Sequence, residues 1–475
     1  MSVRKAVTGA LILFILAGVI SATYHTLKPV PEGLDFEGPV RSASNVTLLS
    51  DETYTGPDSR RVMDHEIFDE IFRLIDQAEQ LVVADMFLFN RFGREPEHRP
   101  LTAELTEALV QRSESDSDVT VVLITDPLNT LYGGAAAPHL DRLREAGVHV
   151  VETDITRLRT PHPSWSGLWR VCCQWLGNST KGGWLPNAMG EGRVSLRSYL
   201  ALLNFKVNHR KTLVVDEGER WTGVVTSANP HDASSEHSNT ALRFSGPAVR
   251  DLLETEAAMM RMSGYSVPFD LPEVEAGQDS EARIQILTEA AIRDRVLAAI
   301  DDTGPGDRIR LAQFYLSHRA IVGALIEARQ RGVSVKVILD PNKDAFGQEK
   351  SGVPNRQVGM ELRRADVPVR WCATRGEQCH SKSILISREE ADDELILGSA
   401  NYTRRNLDNF NPETNARLLA DTDHRAIRDA RARFERRWEN RDGRRYTEPY
   451  ETYADESMLR YWQYRFMEAT GWSTF

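Results

Sequence analysis

Two histidines, His209 and His380, each stand two residues before a lysine, Lys211 and Lys382, at the head of an apolar run. In a strand, residues two apart project from one face, so each pair presents an imidazole and an ammonium side by side. A second apolar run follows each pair and ends in Ser-Ala-Asn. Asn229 lies 18 positions beyond Lys211, and Asn401 lies 19 beyond Lys382. These residue types suit a phosphodiester, whose negative charge Lys and Asn hold by charge-assisted and neutral hydrogen bonds. One imidazole attacks phosphorus to give a phosphohistidine. The other protonates the leaving alcohol and then deprotonates the incoming water or alcohol. In-line displacement puts the acid opposite the nucleophile, which two histidines on facing halves achieve with no metal and no cofactor.

Such a pair needs a repeated scaffold, and the sequence carries one. The first half reads as a helix near Asp64 to Gln80, a strand at Leu81 to Leu88 and a helix near Leu101 to Arg112. A strand at Val119 to Thr125 then ends in Asp126-Pro127, followed by a helix at Pro138 to Ala146 and a strand at Val148 to Glu152. The second half repeats the order: helix Ala290 to Asp301, strand Arg308 to Tyr315, helix Ala320 to Arg331 and strand Ser334 to Leu339, the last again ending in Asp-Pro at Asp340. A helix around Met360 to Ala365 and a strand at Val367 to Trp371 complete it. Continuous apolar strands alternating with amphipathic helices predict an α/β fold with parallel or mixed sheets covered on both faces. The expectation is two mixed sheets in a pseudo-two-fold arrangement, with residues 45–270 as the first half and 271–475 as the second.

The repeat exposes an insertion. From Asp126 to His209 is 83 positions but from Asp340 to His380 only 40, leaving 43 extra residues at about 158–203. They include Trp165, Trp169, Trp175 and Trp184. Two readings stand, a loop that dips into lipid headgroups and a lid with its own small core. The C-terminal stretch Met458 to Phe475 is likewise rich in aromatics, for packing on the second half or for a membrane surface.

Ala6 to Ala22 is an uncharged run of 17 after Arg4 and Lys5. Residues 1–25 therefore read as a transmembrane anchor in preference to a cleaved signal segment. The basic residues before the run stay cytoplasmic, which places the body on the extracytoplasmic side. The net charge of -11 weighs against nonspecific nucleic-acid binding. Of the four cysteines, Cys172 and Cys173 are adjacent, and Cys372 and Cys379 lie seven apart. Neither set has a zinc spacing or implies a disulfide framework. The second pair could bridge in an oxidising compartment, but the expectation is buried free thiols.

The motif pair resembles the phospholipase D superfamily, whose members carry two copies of His-x-Lys-x4-Asp followed by Ser/Gly-x-Asn and an acidic residue. The first copy matches in full, with His209, Lys211, Asp216, Asn229 and Glu236 in the downstream acidic position. The second has His380, Lys382, Asn401 and Glu413 but Ser387 in place of the Asp. In the family that Asp is mainly structural, so the resemblance implies retained activity with weakened local support. It also implies that Glu236 and Glu413 orient the histidines through the other ring nitrogen, and that His209 is the nucleophile. His231 has no counterpart in the second half and reads as accessory. Asn208-His209-Arg210-Lys211 is similar to bacterial cardiolipin synthases. The resemblance thus implies a phospholipase D or phosphatidyltransferase of the bacterial inner membrane. It would act on phospholipids with water or an alcohol as acceptor, and cardiolipin synthesis is one form of that reaction. An exported nuclease of the same superfamily is the alternative. A binding module that has lost turnover rests on Ser387 alone.

Overall fold

The computed structural model describes residues 3–115, 118–275, 277, 282–345, 348–473 and 475. The apolar run forms the exposed helix Val3–Leu27, the one helix among the described residues long and apolar enough to cross a membrane. The other strands and helices expected from the sequence form at or within a few residues of their expected positions.

The strands do not form two sheets. Among the described residues sixteen strands join in one mixed sheet, and two short two-stranded ribbons stand apart from it. At its centre Arg41–Thr55 pairs antiparallel with Ala282–Thr288, with Arg41 opposite Ile284 and Ala43 opposite Ala282. Outward from Arg41–Thr55 come Asn239–Ser245, Arg220–Thr226, Lys211–Glu217, Leu81–Met86, Thr120–Thr125 and His149–Glu152. Outward from Ala282–Thr288 come Thr414–Ala420, Asp393–Gly398, Lys382–Ser387, Arg308–Gln313, Ser334–Leu339 and Val369–Cys372, with Thr447–Pro449 beyond. On each side the last three strands of the six run parallel and the others antiparallel.

The two central strands lie outside the elements read from the sequence, because Arg41–Thr55 is polar and lacks the continuous apolar run of a buried strand. Unpaired, each would leave a row of backbone donors and acceptors at a sheet edge, and pairing across the junction removes both edges. The junction is also packed: one apolar cluster runs from Leu48 and Phe244 through Ile284 and Ile286 to Leu395 and Leu418. The two sides therefore share a core, which fixes the distance between anything they carry.

Asp216, next to last in its strand, is buried and accepts hydrogen bonds from the backbone N–H groups of Glu79, Gln80 and Leu81 at 3.1, 2.9 and 2.8 Å. It ties the helix-to-strand turn to the neighbouring strand and does not line the cavity that holds His209 and His380. Ser387 holds the matching place, opposite Arg308, and its hydroxyl donates to Asp393 at 3.1 Å. Asp216→Ala strands three backbone donors, and the expected loss is about 3 kcal/mol. Urea unfolding should show it, with turnover of the folded fraction unchanged.

The insertion forms the helix Pro163–Cys172, a ribbon of Leu185–Pro186 with Arg193–Val194, and the helix Leu196–Leu202. It packs on the body, where Val194 joins a small apolar cluster with Phe87, Leu88, Leu128 and Leu131. The cysteines depart from expectation: Cys172–Cys173 and Cys372–Cys379 are both disulfides, and the second pair has its Cα atoms 6.2 Å apart. The backbone N–H of Cys379 donates to Asp340 at 2.8 Å.

Candidate active site

His209 and His380 come from opposite sides of the sheet and line one cavity of about 480 Å³, together with Asn229 and Asn401. Each histidine stands two positions before the lysine that opens a strand, Lys211–Glu217 or Lys382–Ser387. Lys211 Nζ donates to the carbonyl of His209 at 2.6 Å and Lys382 Nζ to that of His380 at 2.7 Å. Each ammonium also faces an aromatic ring, Lys211 above Phe87 at 4.9 Å and Lys382 above Phe314 at 5.2 Å, a favourable placement for a desolvated cation. The same rings lie against His209 and His380, at 4.8 and 5.0 Å between centroids.

The two sides hold each other's histidines. His209 N–H donates to Pro412 O at 3.0 Å, and His380 N–H to Ser238 O at 2.8 Å. His209 Nδ1 lies 2.8 Å from Glu413, whose carboxylate also accepts from Ser399 and Asn406. His380 Nδ1 lies 3.1 Å from Asn239 Oδ1, which accepts from the Ser227 hydroxyl at 3.0 Å. With Nδ1 engaged on both rings, Nε2 is the atom left for a ligand. Asn229 Oδ1 accepts from Leu88 N–H at 3.3 Å, leaving its NH₂ group as a donor to an anion.

Glu236 is not brought to either histidine. Its carboxylate pairs with Arg61 and faces His98 Nε2 at 3.8 Å. The counterpart of Glu413 is Asn239. Ser227 N–H donates to Thr240 O and Ser399 N–H to Thr414 O, both at 3.0 Å, which sets Asn239 and Glu413 at the same register. Asn239 lies ten positions past Asn229 and Glu413 twelve past Asn401, so counting along the chain selects the wrong residue. His231 is held by Ser234 and by Phe92 O, both at 2.8 Å, as part of the loop.

Other residues escape the motif. Asp126 and Asp340 accept from the N–H of the residue before each histidine, Asn208 at 2.6 Å and Cys379 at 2.8 Å. Each also accepts within its own loop, from Leu128 and from Asn342, both at 2.7 Å. The repeated Asp-Pro was their signal. His237 packs 6.0 Å from His380, and Arg405 joins the cavity wall four positions past Asn401.

Burial governs the charges. It holds both catalytic-type histidines well below the usual imidazole range, and the neighbouring lysines deepen the effect. Burial also pulls Lys211 down to about 7 against the opposing Glu413 carboxylate, and pulls Lys382 well down. It pushes Glu413 up to about 7, with Lys211 opposing the shift. A bound anion favours the protonated form of each of these groups. Binding takes up protons, so affinity falls as pH rises. For tungstate, a phosphate mimic, the dissociation constant should rise up to about tenfold per pH unit for each proton taken up between pH 6 and 8. Calorimetry in buffers of different ionisation enthalpy counts those protons, and a pH-independent affinity is the contrary result.

Residues 296–438 match the family model described as cardiolipin synthase, PLD-like domain. Over those residues the second half is similar to the phospholipase D-like domain. The match takes in His380, Lys382, Asn401 and Glu413, while the first motif lies outside it. Phosphatidylserine synthase from Haemophilus influenzae shares the fold, with a TM-score of 0.56 at 9% identity over 95% of this chain and 98% of that one. Polyphosphate kinase from Porphyromonas gingivalis aligns with a TM-score of 0.48 at 13% identity, over 89% of this chain but only 53% of its own length. Nuc of Salmonella typhimurium, a phospholipase D family member, aligns with a TM-score of 0.28 at 20% identity over 35% of this chain and 98% of its own. No curated protein matches.

Proposed function

We propose that this chain is a membrane-anchored phospholipase D-type enzyme, built by internal duplication, that cleaves and transfers phosphodiesters of phospholipids. The observation that carries this is the meeting of His209 and His380 in one cavity, each ring held through Nδ1 by a residue of the opposite side. His209 Nε2 attacks phosphorus, the bond from phosphorus to the leaving oxygen breaks, and the proton on His380 passes to that oxygen. In the second step water or an alcohol gives its proton to His380 as it attacks. The P–N bond then breaks and His209 is regenerated. Lys211, Lys382, Asn229 and Asn401 hold the non-bridging oxygens.

The cavity favours a lipid over a nucleic acid, since Leu88, Met189, Leu202, Phe205 and Phe475 line it beside the histidines. Such walls suit acyl chains or glycerol backbones, whereas a nucleic-acid groove needs cationic walls. The helix Val3–Leu27 serves as anchor in a bacterial inner membrane, with the body outside the cytoplasm, where both disulfides are at home.

Incubation with phosphatidylglycerol, with and without glycerol or ethanol, distinguishes the outcomes by product mass. Cardiolipin or a phosphatidylalcohol marks a transferase, and phosphatidic acid alone marks a hydrolase. DNA cleavage with no lipid turnover rejects the lipid reading.

A further inference from the structure

The helix Val3–Leu27 does not stand apart from the body. Gly18 and Ala22, one turn apart, receive the insertion helix Pro163–Cys172 at its Gly167. A Cβ on Gly167 would lie 2.5 Å from Gly18 O and 2.8 Å from Ala22 Cβ, so only glycine permits the approach. Small residues four apart are how helices pack closely inside a bilayer. The 25 residues of the long helix rise about 37 Å, against a hydrocarbon core of about 30 Å. Gly18 is nine residues from the end at Leu27, about 14 Å. An element seated on Gly18 and Ala22 therefore lies at the depth of the outer leaflet and not above it.

The insertion is suited to that depth. Trp175 and Trp184 stand 63% and 62% exposed at its tips. Residues 158–203 hold five basic side chains and one acidic, Glu191, in a chain whose overall charge is -11. The C-terminal helix Met458–Thr470 continues the surface. Leu459, Trp462 and Phe466 share one face and are exposed, while Tyr464 and Glu468 on the other face are buried. Its end is fastened to the insertion, with Trp472 Nε1 donating to Ser164 at 2.8 Å and its ring 4.5 Å from that of His162. The insertion walls the catalytic cavity through Met189 and Leu202, and Phe475, five residues past the C-terminal helix, walls it too.

We propose that the insertion and the C-terminal helix form one interfacial surface that docks on an anionic lipid bilayer, with the catalytic cavity opening at that surface. The anchor supplies continuity, since the surface grows from the point where the long helix leaves the bilayer. The local basic excess supplies preference for anionic headgroups. Aromatic side chains at the tips suit the headgroup layer. The phosphodiester then enters along the membrane plane and need not be lifted out. That last step rests on the phospholipid reading above; the docking surface does not.

The test uses the full chain reconstituted in phosphatidylglycerol vesicles whose acyl chains carry bromine. The difference in emission between the wild type and a Trp175→Phe/Trp184→Phe/Trp462→Phe/Trp472→Phe variant isolates four of the nine tryptophans. Most of that difference signal should be quenched by bromine and protected from aqueous acrylamide, and less so in neutral phosphatidylcholine vesicles. A signal open to acrylamide and untouched by bromine overturns the docking. One shielded from both assigns the face to a second copy or another protein, which overturns the lipid occupant. Equal quenching in neutral vesicles overturns the anionic preference. Vesicle flotation reports the anchor and phosphoenzyme formation reports the chemistry, so failure of either is seen separately.

Discussion

His209→Asn is expected to lower turnover by roughly 10⁴-fold and to abolish covalent phosphoenzyme, whereas His380→Asn should lower lipid turnover as far yet still accumulate phosphoenzyme from a substrate with an activated leaving group. The asymmetry follows from what each Nδ1 meets. Glu413 can carry charge, and a carboxylate on Nδ1 raises the nucleophilicity of Nε2 and stabilises the ring as it becomes cationic on phosphorylation. Asn239 offers His380 only a neutral oxygen, which suits a group that must give up a proton readily. An activated leaving group needs no acid, so the first step survives without His380 and the second stalls. Acid-quenched labelling followed by peptide mapping reads the site directly. Phosphate trapped on His380 in the His209→Asn variant reverses the assignment.

Arg210→Leu is expected to destabilise the fold by roughly 3–5 kcal/mol at pH 8 and by clearly less at pH 5.5. Arg210 sits between His209 and Lys211, and the alternation of a strand sends it to the opposite face, where it is fully buried. There it donates to Thr255 O at 3.1 Å and to Glu289 at 2.9 Å, with Glu256 at 3.8 Å. Burial already pushes Glu289 up to about 7, with Arg210 opposing it, and raises Glu256 and Asp85. Without the guanidinium these carboxyls rise further. The native state then holds protons that the unfolded chain, with carboxyls near their ordinary values, has released. Stability of the variant therefore grows as pH falls from above 7 toward 4.5. Urea midpoints at the two pH values measure this, and an equal loss at both would show that the carboxyls are not what the arginine neutralises.

The motif residues divide by how local their signal is. His209, Lys211, His380 and Lys382 were legible because the strand period alone puts each pair on one face, and the matched distance to Asn229 and Asn401 followed from the hairpin between. Asp216 was legible as a motif member, but only its three backbone partners show that it braces a turn. Glu236 misled because an acid at a plausible spacing is common on a surface. The shorter loop after Asn229 moves the equivalent register to Asn239, a difference visible only in the pairing of strands. Arg210 looks in the sequence like one more basic residue beside the site, and its burial among carboxylates depends on the helix Ala248–Met262 and on Glu289 coming from distant parts of the chain.

The sequence by itself determined the repeated order of strands and helices, the two His-x-Lys pairs, the insertion and the apolar helix, because each is written in short-range periodicity and spacing. Only the tertiary structure decided that the halves share one sheet and one core, that each side supplies the residue behind the other's histidine, and that the insertion clasps the apolar helix. Those contacts join residues up to hundreds of positions apart, such as His209 and Glu413, and no local pattern records which distant edge will satisfy which backbone or which buried base will meet which acid.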